Sequence, residues 1–195
     1  MIIVYAVLAY FIGSIPSGLI IGKTFFNTDV RQYGSKNIGA TNTYRVIGLK
    51  AALPVFLCDA LKGAAGVVLL SSYGPMYMIL GGILAMMGHN WSIFLGFKGG
   101  RGVATGLGVL IALSPLVALI CFLVWGIIVY FTKLVSLGSI VAAALVPVLM
   151  YVTGESYWFV GFGGLAALFV IVRHWDNIKR LLAGNELKVE RIKKD

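Results

Sequence analysis

Long apolar blocks alternate with short polar ones along this chain. Apolar residues dominate positions 2–21, 51–72, 75–95, 103–131, 134–152 and 157–172, and nearly every basic residue falls between the blocks. Most of these blocks approach the roughly 20 residues that cross the hydrocarbon of a bilayer as a helix. They are continuous, whereas a membrane β-barrel would show segments of about ten residues alternating in polarity. Backbone in lipid must satisfy its own hydrogen bonds, so the blocks predict helices. The expected fold is an all-α integral membrane protein.

The block at 103–131 decides the helix count. It is too long for one comfortable span and carries Ser114-Pro115 near its middle. Proline cannot donate to a helix ladder, and the residue before it is pushed out of helical geometry. A turn at this point gives about seven transmembrane helices, with the half before Pro115 short, tilted or re-entrant.

Charge supports the same count. Bases cluster at 23–50, at Lys98 and Arg101, at Lys133, and from Arg173 onward. Six spans would split the first and last clusters across the membrane, against the rule that basic loops face the cytoplasm. Seven put every cluster inside and the N-terminus outside, leaving external loops whose one charge is Glu155.

Composition fits this picture. The 195 residues are 59% hydrophobic with a mean hydropathy of +0.95, above the roughly 45–50% apolar content of soluble domains. The net charge of +9 matches cytoplasmic loops attracted to anionic headgroups. Because the bases are split among short loops between spans, nucleic acid is excluded as a partner. Cys58 and Cys121 sit within apolar blocks without metal-ligand spacing. The first residues lack a basic leader region and a cleavage site, so they are expected to stay as a helix. With no linker, low-complexity run or internal repeat, residues 1–195 are expected to form a single domain.

Three polar motifs carry the candidate chemistry. The first is GSKNIGATNTYR, residues 34–45, with two bases and no carboxylate. Its glycines free backbone N–H groups, Ser35, Asn37, Thr41, Asn42 and Thr43 offer neutral polar contacts, and Arg45 presents a planar fork to phosphate oxygens. The same residues would also suit a solvated loop with ordinary helix caps. Just upstream, GLIIGKT resembles a nucleotide-binding loop but is one residue short and follows no strand, so Lys23 reads as an interfacial anchor.

The second motif is FKGGRGVATGLG, residues 97–108. Lys98 and Arg101 stand among Gly99, Gly100 and Gly102, and the string continues into an apolar helix through Thr105. That pattern predicts bare backbone donors at a helix N-terminus flanked by cations, a nest for phosphate. The third is RHWDNIKRLLAGNE, residues 173–186. His174 and Asn177 lie three apart, on one face of a helix, and histidine is suited to proton movement near neutrality. An amphipathic surface helix with Trp175 at the headgroups would read the same way.

The predicted topology places all three motifs, with Lys133, Ser136 and Ser139, on the cytoplasmic face, as one site would require. Two further polar features lie deeper. Asp59 and Lys62 are three apart within a span, which fits a structural ion pair or a functional one. His89 reads as a capping or interfacial histidine.

The motifs, in this order, resemble the bacterial acyl-phosphate-dependent glycerol-3-phosphate acyltransferase family. The resemblance runs nearly the whole length, through GSIPSG (13–18), SKNIGATNxxR (35–45), KGGRGVAT (98–105) and RHxxNIxRLxxGxE (173–186). That family often has Gly where Lys36 stands and Lys where Arg101 stands. The resemblance implies transfer of a fatty acyl group from acyl phosphate to the 1-hydroxyl of glycerol 3-phosphate, yielding lysophosphatidate and phosphate, the first step of phospholipid synthesis. The location would be the bacterial cell (inner) membrane. Acyl phosphate is already activated, so neither a cofactor, a metal nor an acyl-carrier protein is required.

By the same resemblance, residues 98–105 would hold the acyl phosphate, with Ser35, Arg45, Arg101 and Ser136 on phosphate oxygens. His174 and Asn177 would orient glycerol 3-phosphate, with either His174 or a substrate phosphate taking the hydroxyl proton. The alternative function is a membrane transporter or channel for phosphorylated metabolites. It would call for polar groups on both faces and a repeat, whereas the outer face is almost bare. A soluble-type acyltransferase would need an HxxxxD box, and Phe94 and Lys179 occupy those positions.

Overall fold

The computed structural model describes residues 1–191, which contain ten α-helices and no strand. In order these are α1 (Ile2–Ser14), α2 (Ser17–Phe26), α3 (Ala40–Val46), α4 (Leu49–Leu69) and α5 (Pro75–Asn90). There follow α6 (Val103–Leu113), α7 (Pro115–Thr132), α8 (Val135–Val152), α9 (Tyr157–Arg173) and α10 (Trp175–Leu182). Four stretches are long and apolar enough to cross a membrane, and up to six if two bent pairs each count as one span. Helix α6 is a shorter apolar element. The all-helical membrane fold is as expected; the count of seven spans is not reached on length and apolarity alone.

The long apolar block breaks where its chemistry predicts. Helix α6 ends at Leu113, Ser114 leaves helical geometry at φ −150° and ψ 85°, and Pro115 opens α7. The Ser114 hydroxyl donates to the Glu155 carboxylate. A second break was not anticipated. The first apolar block divides at Ile15-Pro16, with Ile15 extended at ψ 118°, and α1 and α2 meet at a 46° bend. Pro16 acts on Ile15 as Pro115 acts on Ser114, but it lies in a block of ordinary span length, which disguises the stop.

The residues group into two compact units, 1–109 with 189–191 and 110–188. In the first, α1, α4 and α5 pack on one another, and α2 and α3 lean on α4. This core is made by small residues, because lipid gives helices no hydrophobic reason to associate and close backbone approach must supply it. Gly66 and Gly81 face each other so closely that a Cβ on either would lie 2.6 Å or less from the other's carbonyl oxygen. Large side chains point outward instead, Leu57, Leu61 and Val68 of α4 among them. In the second unit α8 packs between α7 and α9, and α9 leads into α10 through a 61° bend at His174.

Candidate active site

The motif residues divide between the two units. In the first, residues 34–45 form a loop entering α3. Asn42, buried at 2% exposure, holds this loop together. Its Oδ1 accepts the Ser35 N–H at 2.9 Å, and its Nδ2 donates to the carbonyls of Val30, Tyr33 and Asn37. Asn42 was expected to bind substrate; its carboxamide instead serves as the scaffold that fixes Ser35 and Asn37. Asn37 Oδ1 in turn accepts the Gly39 N–H at 2.8 Å. Ser35 and Thr41 are partly exposed, while Arg45 lies buried in the last turn of α3.

Asp29, just before this loop, is neutralised. Asp29 caps the short 3-10 turn Val30–Gln32 and accepts from Arg31 Nε and Nη2, at 3.0 and 2.7 Å, with Lys23 Nζ at 3.3 Å. The Arg31 guanidinium chiefly holds the Asp29 carboxyl well below the usual carboxylate range, against the opposing pull of burial. A depressed carboxylate stabilises the fold above its unfolded pKa and loses that contribution only as pH falls through the depressed value. The clamp therefore persists through neutral and mildly acid conditions, and Lys23 does more than anchor at the interface.

Lys36 adopts φ +58°, the left-handed region that costs an L-residue about 1–2 kcal/mol. Exposed and strained, this position suits the glycine that resembling sequences often carry there. Lys36→Gly is expected to stabilise the protein by about 1 kcal/mol. A thermal midpoint in detergent micelles that stays level or falls would count against that strain.

The second motif departs from its expected form. The N–H groups of Gly99 and Gly100 are not bare: they donate to the carbonyls of Asn90 and His89, each at 3.0 Å. The loop thereby closes the open carbonyl end of α5. Its glycines are required by that close fit, since a Cβ at Gly99 would lie 2.0 Å from the His89 carbonyl oxygen and one at Gly100 2.1 Å from His89 Nε2. Gly102, at φ +80°, faces the Asn90 amide. Thr105 is fully buried in α6, and its hydroxyl has no hydrogen-bond partner among the described residues. What the loop offers outward is Lys98, exposed, and Arg101, partly so.

In the second unit, His174 and Asn177 are both 2% exposed. His174 is the junction of α9 and α10, and not an interior position of one helix: its carbonyl accepts the Ile178 N–H at 2.8 Å. Its ring Nδ1 lies 2.8 Å from the Val170 carbonyl oxygen. A carbonyl can only accept, so Nδ1 carries the proton and Nε2 of the neutral ring is the acceptor. A backbone carbonyl thus orients the ring.

Glu186 is the residue whose role sequence reasoning missed. Its buried carboxylate accepts from Ser136 Oγ at 3.0 Å, Asn177 Nδ2 at 2.5 Å and Arg180 Nε at 2.8 Å. Ser136, expected on a phosphate, directs its proton to Glu186. Asn177 keeps a buried Oδ1 with no partner among the described residues. The chain reverses at Gly184, φ +71°, which returns Glu186 to α10 although helical spacing would not. Glu186 is one of four acids in a basic tail, so nothing in its spacing singled it out.

A family model described as glycerol-3-phosphate acyltransferase matches residues 3–184. The chain belongs to the glycerol-3-phosphate acyltransferase family. It is 46% identical over 186 residues to the glycerol-3-phosphate acyltransferase of Fusobacterium nucleatum, covering 94% of this chain and 96% of that one. Glycerol-3-phosphate acyltransferase 2 of Moorella thermoacetica is 48% identical, covering 94% and 95%. Crystal structures of PlsY (YgiH), an integral membrane glycerol 3-phosphate acyltransferase, are similar in fold. The glycerol 3-phosphate form superposes with a TM-score of 0.91 at 38% identity, over 96% of this chain and 94% of that chain. The lysophosphatidic acid form gives 0.89 at 37%. Membership of the glycerol-3-phosphate acyltransferase family and this likeness make the chain a multi-pass membrane protein.

Proposed function

We propose that the protein acylates the 1-hydroxyl of glycerol 3-phosphate with acyl phosphate as donor, releasing lysophosphatidate and phosphate, the first step of phospholipid synthesis. The observation that carries this reading is the near full-length likeness to an acyltransferase solved in glycerol 3-phosphate and lysophosphatidic acid forms. In the reaction the hydroxyl oxygen attacks the acyl carbonyl carbon, the bond from that carbon to the phosphate oxygen breaks, and phosphate leaves. The hydroxyl proton goes to His174 or to a substrate phosphate. Because the mixed anhydride is already activated, positioning and charge neutralisation supply the rate, and the step balances without metal, nucleotide or acyl-carrier protein.

Within the first unit, Ser35, Arg45, Lys98 and Arg101 bind phosphate oxygens, with Asn37 and Thr41 beside them. The loop glycines 99, 100 and 102 shape that surface by their fit to α5. Within the second, His174 Nε2 and Asn177 Oδ1 accept hydrogen bonds from glycerol hydroxyls, and Glu186 holds Asn177 in place. The whole chain acts as one acyltransferase domain of the bacterial inner membrane, N-terminus outside and motifs cytoplasmic, as the basic loops require.

The deciding assay is purified protein with acyl phosphate and glycerol 3-phosphate in a chelating, nucleotide-free buffer. Phosphate and lysophosphatidate are expected in equal amounts. Turnover from acyl-CoA or acyl-carrier protein in place of acyl phosphate would overturn the donor.

A further inference from the structure

Beneath the glycine-rich loop, in the first unit, lies a buried charged cluster that the reaction as written does not use. Asp59 and Lys62 of α4 are 2% and 5% exposed, and His89 at the end of α5 is 4% exposed. Lys62 Nζ lies 2.7 Å from Asp59 Oδ1, and His89 Nδ1 lies 3.6 Å from the same oxygen. His89, in the last turn of α5, is thus packed inside the protein against Asp59.

Each member reaches a different segment of the phosphate-binding machinery. Lys62 Nζ donates at 2.9 Å to the carbonyl of Ile15, at the break between α1 and α2. Helix α2 carries that position toward residues 34–45, and it touches them at Gly18, where a Cβ would lie 1.8 Å from the Ile38 carbonyl oxygen. His89 reaches the other motif, through its carbonyl on the Gly100 N–H and its Nε2 against the Gly100 α-carbon. One carboxylate therefore connects the root of the first motif to the floor of the second.

Stability is a weak reason for such an arrangement. Burying an ion pair costs several kcal/mol per ion, and apolar replacements are often as stable. Charged groups at membrane depth are expensive and commonly serve function. We propose that Asp59, Lys62 and His89 are positioning residues, which set the spacing of residues 98–102 against residues 34–45 and so align their phosphate-binding groups. This rests on the acyltransferase reading.

The test is a set of variants measured for kcat, for KM of both substrates, and for thermal midpoint in micelles. A glutamine amide reaches the place of the histidine Nε2, against the loop, whereas an asparagine amide reaches that of Nδ1, toward Asp59. His89→Gln, which keeps the contact with the loop and loses the one to Asp59, is expected to raise KM as well, though by less than His89→Asn. His89→Asn should keep its thermal midpoint but raise KM for a phosphate substrate about tenfold, with kcat within about threefold. Asp59→Asn alone should lower the midpoint. Adding Lys62→Met should restore it while KM stays high, because the charge is balanced and the tie to Ile15 is gone. Parental KM in His89→Asn and in the double variant, or KM that rises only as the midpoint falls, would overturn the positioning role alone. A parent protein inactive with both substrates would overturn the acyltransferase reading and this proposal with it.

Discussion

His174→Ala should lower kcat by about 10²–10⁴, the range for loss of a positioned proton acceptor, with KM for glycerol 3-phosphate changing far less. The ring is held by its Nδ1 bond to Val170, which leaves Nε2 as the acceptor whenever the imidazole is neutral. That bond joins α9 to the residue that ends it, so ring orientation depends on the bend between α9 and α10. Phosphate release measured at saturating substrate checks the prediction directly. Near-normal turnover would mean that a substrate phosphate takes the proton and that His174 only shapes the helix junction.

Arg45→Ala should reduce kcat/KM by about 10²–10³, the typical cost of removing one preorganised donor. It should also narrow the preference for glycerol 3-phosphate over glycerol. A guanidinium grips two phosphate oxygens at once and an ammonium does not, so Arg45→Lys should recover only part of the loss. Arg45 is buried in α3, so the thermal midpoint of each variant must be measured alongside. Equal losses with glycerol and glycerol 3-phosphate would place the side chain away from the phosphate.

Much of this was legible in the residues, and the parts that were not have physical reasons. The stop at Ser114-Pro115 could be read because block length and proline chemistry agreed there. The equal stop at Ile15-Pro16 was hidden, since a block of ordinary span length gives no cause to look for a break. Carboxylate-free loops with well-placed bases pointed to phosphate before any fold was known. The glycines of residues 99–102 suggested open N–H groups, yet spacing along a chain cannot say which carbonyls those groups will meet. The answer lay on α5, about ten residues upstream. Glu186 escaped for a related reason: a left-handed glycine turned the chain, and helical periodicity ends at a turn. His89 looked interfacial because it ends an apolar block, and only packing revealed Asp59 beside it.

The closure of α5 by the glycine loop also limits how this enzyme can be redesigned. Positions 99, 100 and 102 admit no side chain without displacing α5 or His89, so a library randomised there would return mostly misfolded protein. Lys98 and Arg101 are the open positions on that segment, and both are cations. Redesign of that segment must therefore work through the charge and reach of those two residues, or through the layer beneath the loop.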